Sequence, residues 1–394
     1  MVQGGAQTEQ PTGNGASPES PWIAYDAMGL DHGPAMAVAG ALEGVRKHGV
    51  HVIMVGQEDV LKEELRKQGG SSLLGQTIRI QHASEVATME DKPSEAIRKK
   101  KDSSMRVAYD LVKAGEAAGV VSAGNSGVSL GLALLVLGRI RGVLRPAIAS
   151  LIPRPNEKVG GHTVLLDSGA NTVVAPGHLV QWAFLGDVYA RVVRGMPNPR
   201  VGILSNGEED SKGTDATRAA NEALKSVRHG LNYMGYCEGR DVTTGGVDVV
   251  VTDGFTGNVV LKTIEGVGRA VKEGLENHFR QSLLTKMQYL LVANVFQRIR
   301  KAADYRNIGG APMLGVKGVS IVAHGGSDAV ALGHALRVAR LHVNVRINDA
   351  VARAVEEHDR LFPEAKKLTQ AHMDRLSAVS AGGKAEDASA PSAS

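Results

Sequence analysis

Six times along the chain an apolar run ends in a cluster of glycine with Asp, Asn, Ser or His: DAMGLDHGP from Asp26, SAGNSG from Ser122, LDSGAN from Leu166, SNGEEDSKGTD from Ser205, TDGFTGN from Thr252 and AHGGSD from Ala323. Such residues suit an anion, because glycine lets consecutive N–H groups approach oxygens and a following helix adds its positive end. The stretch Gly124, Asn125, Ser126, Gly127 opens a helix in this way, although the same four residues also serve as an ordinary turn. The loop holding Asn206, Glu208, Glu209, Asp210 and Lys212 is more specific, with three acids followed by one lysine between two glycines. It would place the Lys212 charge over a phosphate while the acids orient it or cap the next helix; a solvated helix entry is the alternative. Asp253, Gly254, Thr256, Gly257 and Asn258 follow the same logic, and an Asx turn with an N-cap accounts for them equally well. His32 stands among Asp26, Asp31 and Pro34, near a carboxylate that would orient it, and a structural histidine is the competing reading.

Other chemistries lack their signatures. No G-x-G-x-x-G follows the first strand and no G-x-x-x-x-G-K-[ST] occurs, so nicotinamide and P-loop nucleotide sites are not expected. A nucleophile elbow and the helical histidine pair of a zinc site are also missing, so neither a covalent serine mechanism, a metal nor a cofactor is expected. Cys237, the one cysteine, lies in an apolar and aromatic run with no neighbouring base, which predicts a buried thiol and a reducing, cytoplasmic setting. Five Phe, two Trp and seven Tyr in 394 residues argue against base stacking, and a net charge of +4 is too mild to call for nucleic acid.

The loops need a scaffold, and the rhythm between them supplies one. Strand patterns at Trp22 to Asp26, His51 to Val55, Thr77 to Gln81, Gly119 to Ser122, Ala147 to Ile152, Thr163 to Leu166, Val201 to Leu204, Val247 to Thr252 and Val319 to Ala323 mostly alternate with helical sequence. Strands this apolar predict an α/β fold with a mostly parallel sheet covered by helices on both faces. In such sheets ligands sit beyond the carboxyl ends of the strands, so the six loops should converge on one crevice. The expected organisation is a disordered arm over 1–20, one catalytic domain over 21–360, a terminal helix over 361–377 and a disordered tail over 378–394. The longest apolar run, Gly127 to Gly138, is too short to span a bilayer.

Residues 271–306 stand apart as an amphipathic excursion. Leu275, Phe279, Leu283, Met287, Leu291, Val295 and Ile299 recur at steps of four, widened by Leu284, Leu290 and Phe296, beside Arg280, Lys286, Arg298, Arg300, Lys301 and Arg306. A core or dimer-interface helix and a surface helix meeting an anionic membrane or an acidic protein both fit this pattern.

With these loops in view the sequence resembles the bacterial phosphate acyltransferase family from about Ile23 to Asp349. The motifs are DAMGLDHGP, SAGNSG, LLDSGAN followed by GHLVQWAFLGDVYA, SNGEEDSKG, VVVTDGFTGNVVLK and GGAPMLGVKG, in that order. Leu30 stands where the family usually has glycine and Ser168 where it usually has valine, and Asp210-Ser211 inside the acidic loop is a third departure. The resemblance implies transfer of a long-chain acyl group from acyl carrier protein to inorganic phosphate for phospholipid synthesis. It also implies a homodimer, peripheral association with an anionic membrane, a downstream membrane glycerol-phosphate acyltransferase, and a three-layer α/β/α sheet related to phosphotransacetylases and isocitrate-dehydrogenase-like folds. On this reading His32, Asp26, Asp31, Asn206, Lys212 and Asn258 are the catalytic candidates. The substrate-binding set is Gly124 to Gly127, Ser168, Asn171, Glu208, Glu209, Asp253, Gly254, Thr256 and Gly257. Leu283, Leu284, Met287, Leu291, Phe296, Arg298, Arg300 and Lys301 would meet membrane or carrier protein. Two rivals stand beside it: a phosphotransacetylase-like enzyme acting on coenzyme A thioesters, and a non-catalytic, membrane-docked carrier-protein scaffold.

Overall fold

The computed structural model describes residues 20–154, 161–227, 230–282, 289, 293–294, 309–358 and 360–387. The first stretch runs β1 (Trp22–Asp26), α1 (Gly33–His48), β2 (His51–Gly56), α2 (Glu58–Lys67), β3 (Ile78–His82), α3 (Pro93–Lys99), α4 (Ser104–Ala114), β4 (Gly119–Ser122) and α5 (Ser126–Leu132). Next come β5 (Ala147–Pro153), β6 (His162–Leu166), α6 (Pro176–Arg194), β7 (Arg200–Leu204), α7 (Asp215–Lys225), β8 (Asn232–Cys237), α8 (Asp241–Thr244), β9 (Val249–Val251) and α9 (Gly254–Arg280). The chain closes with β10 (Ala311–Leu314), β11 (Val319–Val322), α10 (Ala329–Asn344), α11 (Ile347–Glu357) and α12 (Leu361–Asp387).

The strands form one sheet in the order β3-β2-β1-β4-β11-β10-β5-β6-β9-β7-β8. Alternation along each strand divides its side chains between two faces. Tyr25, Met54 and Val121 pack with α1, α6 and α10 in one core, whereas Ala24, Ile53 and Val120 pack with α4 and α5 on the other side. A smaller cluster of Leu165, Val250 and Cys237 extends that second side beneath α9. Three layers result, with the sheet in the middle. Helix α6 is buried from Pro176 to Ala190, as a helix enclosed in the core must be.

Glycines allow the closest helix contacts. A Cβ at Gly40 or Gly44 of α1 would come within 2.5 or 2.8 Å of Leu332 and Leu336 on α10. At Gly177 it would fall 1.8 Å from the Ala365 carbonyl oxygen, which is where α12 lies on α6. The terminal helix is therefore part of the core, with Phe362 buried, and its observed range of Leu361–Asp387 exceeds the expected 361–377.

The sheet is parallel in two blocks that run in opposite directions. Strands β3, β2, β1, β4 and β11 are mutually parallel, as are β6, β9, β7 and β8. Between the blocks, β10 is antiparallel to β11 and β5, and β5 is antiparallel to β6. The expectation that all six loops leave one sheet edge is thus corrected: three follow β1, β4 and β11, and three follow the reversed β6, β7 and β9.

Candidate active site

The first set of loops is built around Asp26, which is fully buried at the end of β1. Its Oδ1 accepts from Ser104 Oγ at 2.6 Å and from the N–H groups of Met28 and Gly29, and its Oδ2 accepts from Ser122 Oγ at 2.8 Å. Ser122 Oγ in turn accepts from Gly124 N–H. Burial raises the Asp26 pKa, against the pull of these donors. Gly29 fits only because it lacks a side chain, since a Cβ there would come 2.8 Å from Asp26 Oδ2 and 3.3 Å from Gly124 Cα. Asp31 N–H donates to Gly325 O, which joins the AHGGSD loop to the other two.

Asp26 therefore does not orient His32. Both of its oxygens are occupied inside the protein, while His32 is exposed at the entry of α1 and, among the described residues, hydrogen-bonds to neither Asp26 nor Asp31. Asn125 is a cap rather than a free donor. Its Oδ1 accepts from Gly127 and Val128 N–H, and its Nδ2 donates to the carbonyls of Thr88, Met89 and Asp91. Gly124 and Gly127 make room for Met105 and Pro93, which leaves exposed Ser126 as the side chain this loop offers to solvent.

The second set has its own buried carboxylate, which the sequence reading missed. Asp167, just past β6, has no exposed surface. Oδ1 accepts from the N–H groups of Ile148, Gly169 and Ala170, and Oδ2 from Asn171 N and Nδ2. Asn171 also donates to Pro146 O, and Ser168 is bonded to Ser150 and to Ile148 O. Ser168 and Asn171, expected to touch substrate, are buried and spent on the loop itself.

Helix α9 docks onto this loop. Asp253 caps it, accepting from Thr256 N–H at 2.8 Å and Thr256 Oγ1 at 2.7 Å. Gly254 N–H donates to Asn171 O. A Cβ at Gly257 would lie 1.9 Å from Asp167 O, so these glycines serve close packing rather than an anion cradle. Asn258 is exposed one position beyond, and its side chain makes no hydrogen bond among the described residues.

In the loop after β7, Asn206 Oδ1 accepts from Gly213 N–H at 2.9 Å. That bond holds the amide by its oxygen, and Nδ2 donates to no group among the described residues. The half-buried Lys212 lays its stem across Gly207, where a Cβ would come 2.8 Å from Lys212 Cγ. Two of the three acids are drawn away from Lys212 and none caps the helix, while Glu209 Oε2 lies over Gly207, on which the Lys212 stem also rests. Glu208 pairs with Arg240 and Asp210 with Lys225, while Thr214 caps α7 by accepting from Thr217 N–H. The Lys212 ammonium makes no ion pair or hydrogen bond among the described residues. Cys237 behaves as expected: it is 2% exposed and burial pushes its thiol up to about 12. The expected membrane or carrier contacts at 283, 284, 287, 291, 296, 298, 300 and 301 lie outside the described residues.

Residues 22–349 match the family model described as "Fatty acid synthesis protein". A phosphate acyltransferase of Geotalea uraniireducens is 47% identical over 346 residues, covering 88% of this chain and 97% of the relative. One from Anaeromyxobacter dehalogenans is 49% identical over 333 residues, covering 84% and 90%. Among solved structures, a phosphotransacetylase from Streptococcus pyogenes is similar with a TM-score of 0.53 at 18% identity, covering 86% of this chain and 95% of that one. A second, from Staphylococcus aureus, gives 0.51 at 15%, covering 83% and 95%. The fold is thus shared with phosphotransacetylases.

Proposed function

The chain belongs to the phosphate acyltransferase family, and from that premise we propose that it moves a long-chain acyl group from acyl carrier protein to inorganic phosphate, releasing the carrier thiol and an acyl phosphate for phospholipid synthesis. The observation that carries this reading is Lys212, a half-buried cation without an ion pair among the described residues, in a loop where Glu208 is drawn to Arg240 and Asp210 to Lys225. A phosphate oxygen attacks the thioester carbonyl carbon; the C–O bond forms, the carbonyl becomes an oxyanion, and its collapse breaks the C–S bond. The thiolate leaves and takes up a proton. Because phosphate is already anionic and a thiolate is a competent leaving group, the protein needs to supply position and charge stabilisation rather than a covalent nucleophile. Lys212 holds the phosphate, and the Nδ2 of Asn206 or the side chain of Asn258 donates to the oxyanion, where one donor contributes roughly 3–4 kcal/mol. His32, exposed in the loop after β1, is the group we assign to protonate the thiolate.

The same reading makes the protein a cytoplasmic homodimer that rests on an anionic membrane surface and hands its acyl phosphate to a membrane glycerol-phosphate acyltransferase. No helix among the described residues is long and apolar enough to cross a membrane. Thiol release from palmitoyl carrier protein, with and without phosphate, tests the reaction. Release that requires phosphate supports it, and equal release without phosphate indicates a thioesterase. The likeness of fold to phosphotransacetylases favours a second arm with palmitoyl coenzyme A, whose preference over the carrier-protein thioester would replace the donor. Carrier-protein binding without thiol release would make the chain a scaffold.

A further inference from the structure

Asp26 and Asp167 occupy equivalent places in the two halves of the sheet. Each ends a core strand, is fully buried, and takes the N–H groups of the second and third residues after it on one oxygen. Their remaining partners differ in a way that matters. Asp26 is met by two serine hydroxyls, which rotate and either donate or accept. Asp167 is met only by N–H groups, five of them, and four belong to backbone that cannot turn round. An acceptor with two oxygens and no hydrogen is what this arrangement demands, and removing one leaves a buried donor unsatisfied. The backbone of Asp167 also sets the seat of α9, through the close approach of Gly257, where a Cβ would lie 1.9 Å from Asp167 O, and the Gly254 bond to Asn171 O. The first turn of α9 carries Asn258, whose Cγ lies 3.8 Å from where a Gly169 Cβ would be.

We propose that Asp167 is a positioning residue: its carboxylate shapes residues 168–171 and, through them, presents the first turn of α9 with Asn258 to the bound phosphate. This rests on the phosphate-dependent reading above. The test is phosphate saturation of thiol release by the full chain, together with the rise in melting temperature that inorganic phosphate alone produces. Asp167→Asn keeps the shape but sets an NH2 against N–H donors. It is expected to raise the phosphate KM at least about tenfold and to abolish the phosphate-induced rise, since a displacement near 1 Å suffices for losses of that size. Asn171→Ala removes one donor and leaves the backbone bonds, so an intermediate shift is expected even if Asp167→Asn does not fold. Asp26→Asn, with serines free to reverse, should change the KM less than Asp167→Asn does. A merely structural role would lower the melting temperature and leave the phosphate KM of the folded protein at its wild-type value. Wild-type phosphate saturation in Asn171→Ala, with Asp167→Asn either equally normal or unfolded, overturns the proposal. Wild-type protein lacking both phosphate readouts overturns the functional reading itself.

Discussion

Lys212 and His178 illustrate two ways in which one side chain reports on its surroundings. Lys212 has no ion pair among the described residues, with Glu208 and Asp210 paired elsewhere, so its charge is available to an anion. Lys212→Ala should raise the phosphate concentration needed for half-maximal thiol release, with little change in melting temperature because the residue sits in a polar loop. Unchanged phosphate saturation would assign the charge to solvent. His178 is 7% exposed, and its Nδ1 accepts from Ala175 N–H at 3.0 Å, an arrangement that needs the neutral ring. Burial, with Arg145 and His372 adding to it, lowers its pKa to about 4. Its folded pKa lies below the unfolded value, so the stability it contributes is present above about pH 6.5 and is lost as pH falls toward 4. That contribution is of the order of 3 kcal/mol. His178→Gln should therefore show a smaller drop in melting temperature between pH 7.5 and 4.5 than wild type, and an equal drop would show that other groups govern the acid limb.

Helix α9 makes the same argument at the scale of an element, because its glycines are of two kinds. Gly257 faces Asp167 O with no room for a methyl group, whereas a Cβ at Gly266 would meet nothing within 4 Å. Gly257→Ala should cost about 1–3 kcal/mol or more and unseat the first turn, while Gly266→Ala should stabilise by up to about 1 kcal/mol through lower chain entropy. Paired thermal melts check this, and equal effects would mean that α9 is not docked at Gly257. Such distinctions were only partly legible in the sequence. The apolar strands that alternate with helices were readable because both faces are buried, and their observed bounds differ mostly by a residue or two. Strand β8 was not, since Asn232, Met234 and Gly235 interrupt its pattern and it lies at the sheet edge with Met234 exposed. Strand β10 was hidden by its length of four residues and by Pro312. Lys212 and Asn206 stood out through charge beside glycine. Asp167 did not, because its importance lies in five donors brought from Ile148 as well as from its own loop; the pattern of an Asp ending an apolar strand with glycine soon after, shared with Asp26, was the available signal.

At the scale of the whole molecule, the short β10 that the pattern hid decides which way the loops leave the sheet, since it and β5 reverse the direction between the two parallel blocks. The second block also sends out α9, whose outer stripe of Phe255, Val259, Val267, Val271 and Leu275 is exposed along a 27-residue helix. At about 1.5 Å per residue the stretch from Phe255 to Leu275 is about 30 Å long, and an apolar stripe of that length calls for a covering surface. The stripe leads toward the segment holding Leu291 and Phe296 among Arg298, Arg300 and Lys301, which is the composition that favours anionic lipid. A helix that pairs two copies of the chain has little use for clustered cations, so the two stretches should separate under substitution. Val267→Glu with Val271→Glu places carboxylates in the stripe of α9 and, if the proposed dimer forms through it, should leave the chain monomeric where wild type sediments at twice the monomer mass. If the proposed membrane contact is made here, Leu291→Glu or Phe296→Glu should instead abolish flotation with anionic vesicles without changing the sedimenting mass, and high salt should weaken wild-type flotation by screening the cations. If the α9 pair leaves the mass unchanged while Leu291→Glu yields monomers, the assignments are reversed, and the basic segment holds the copies together.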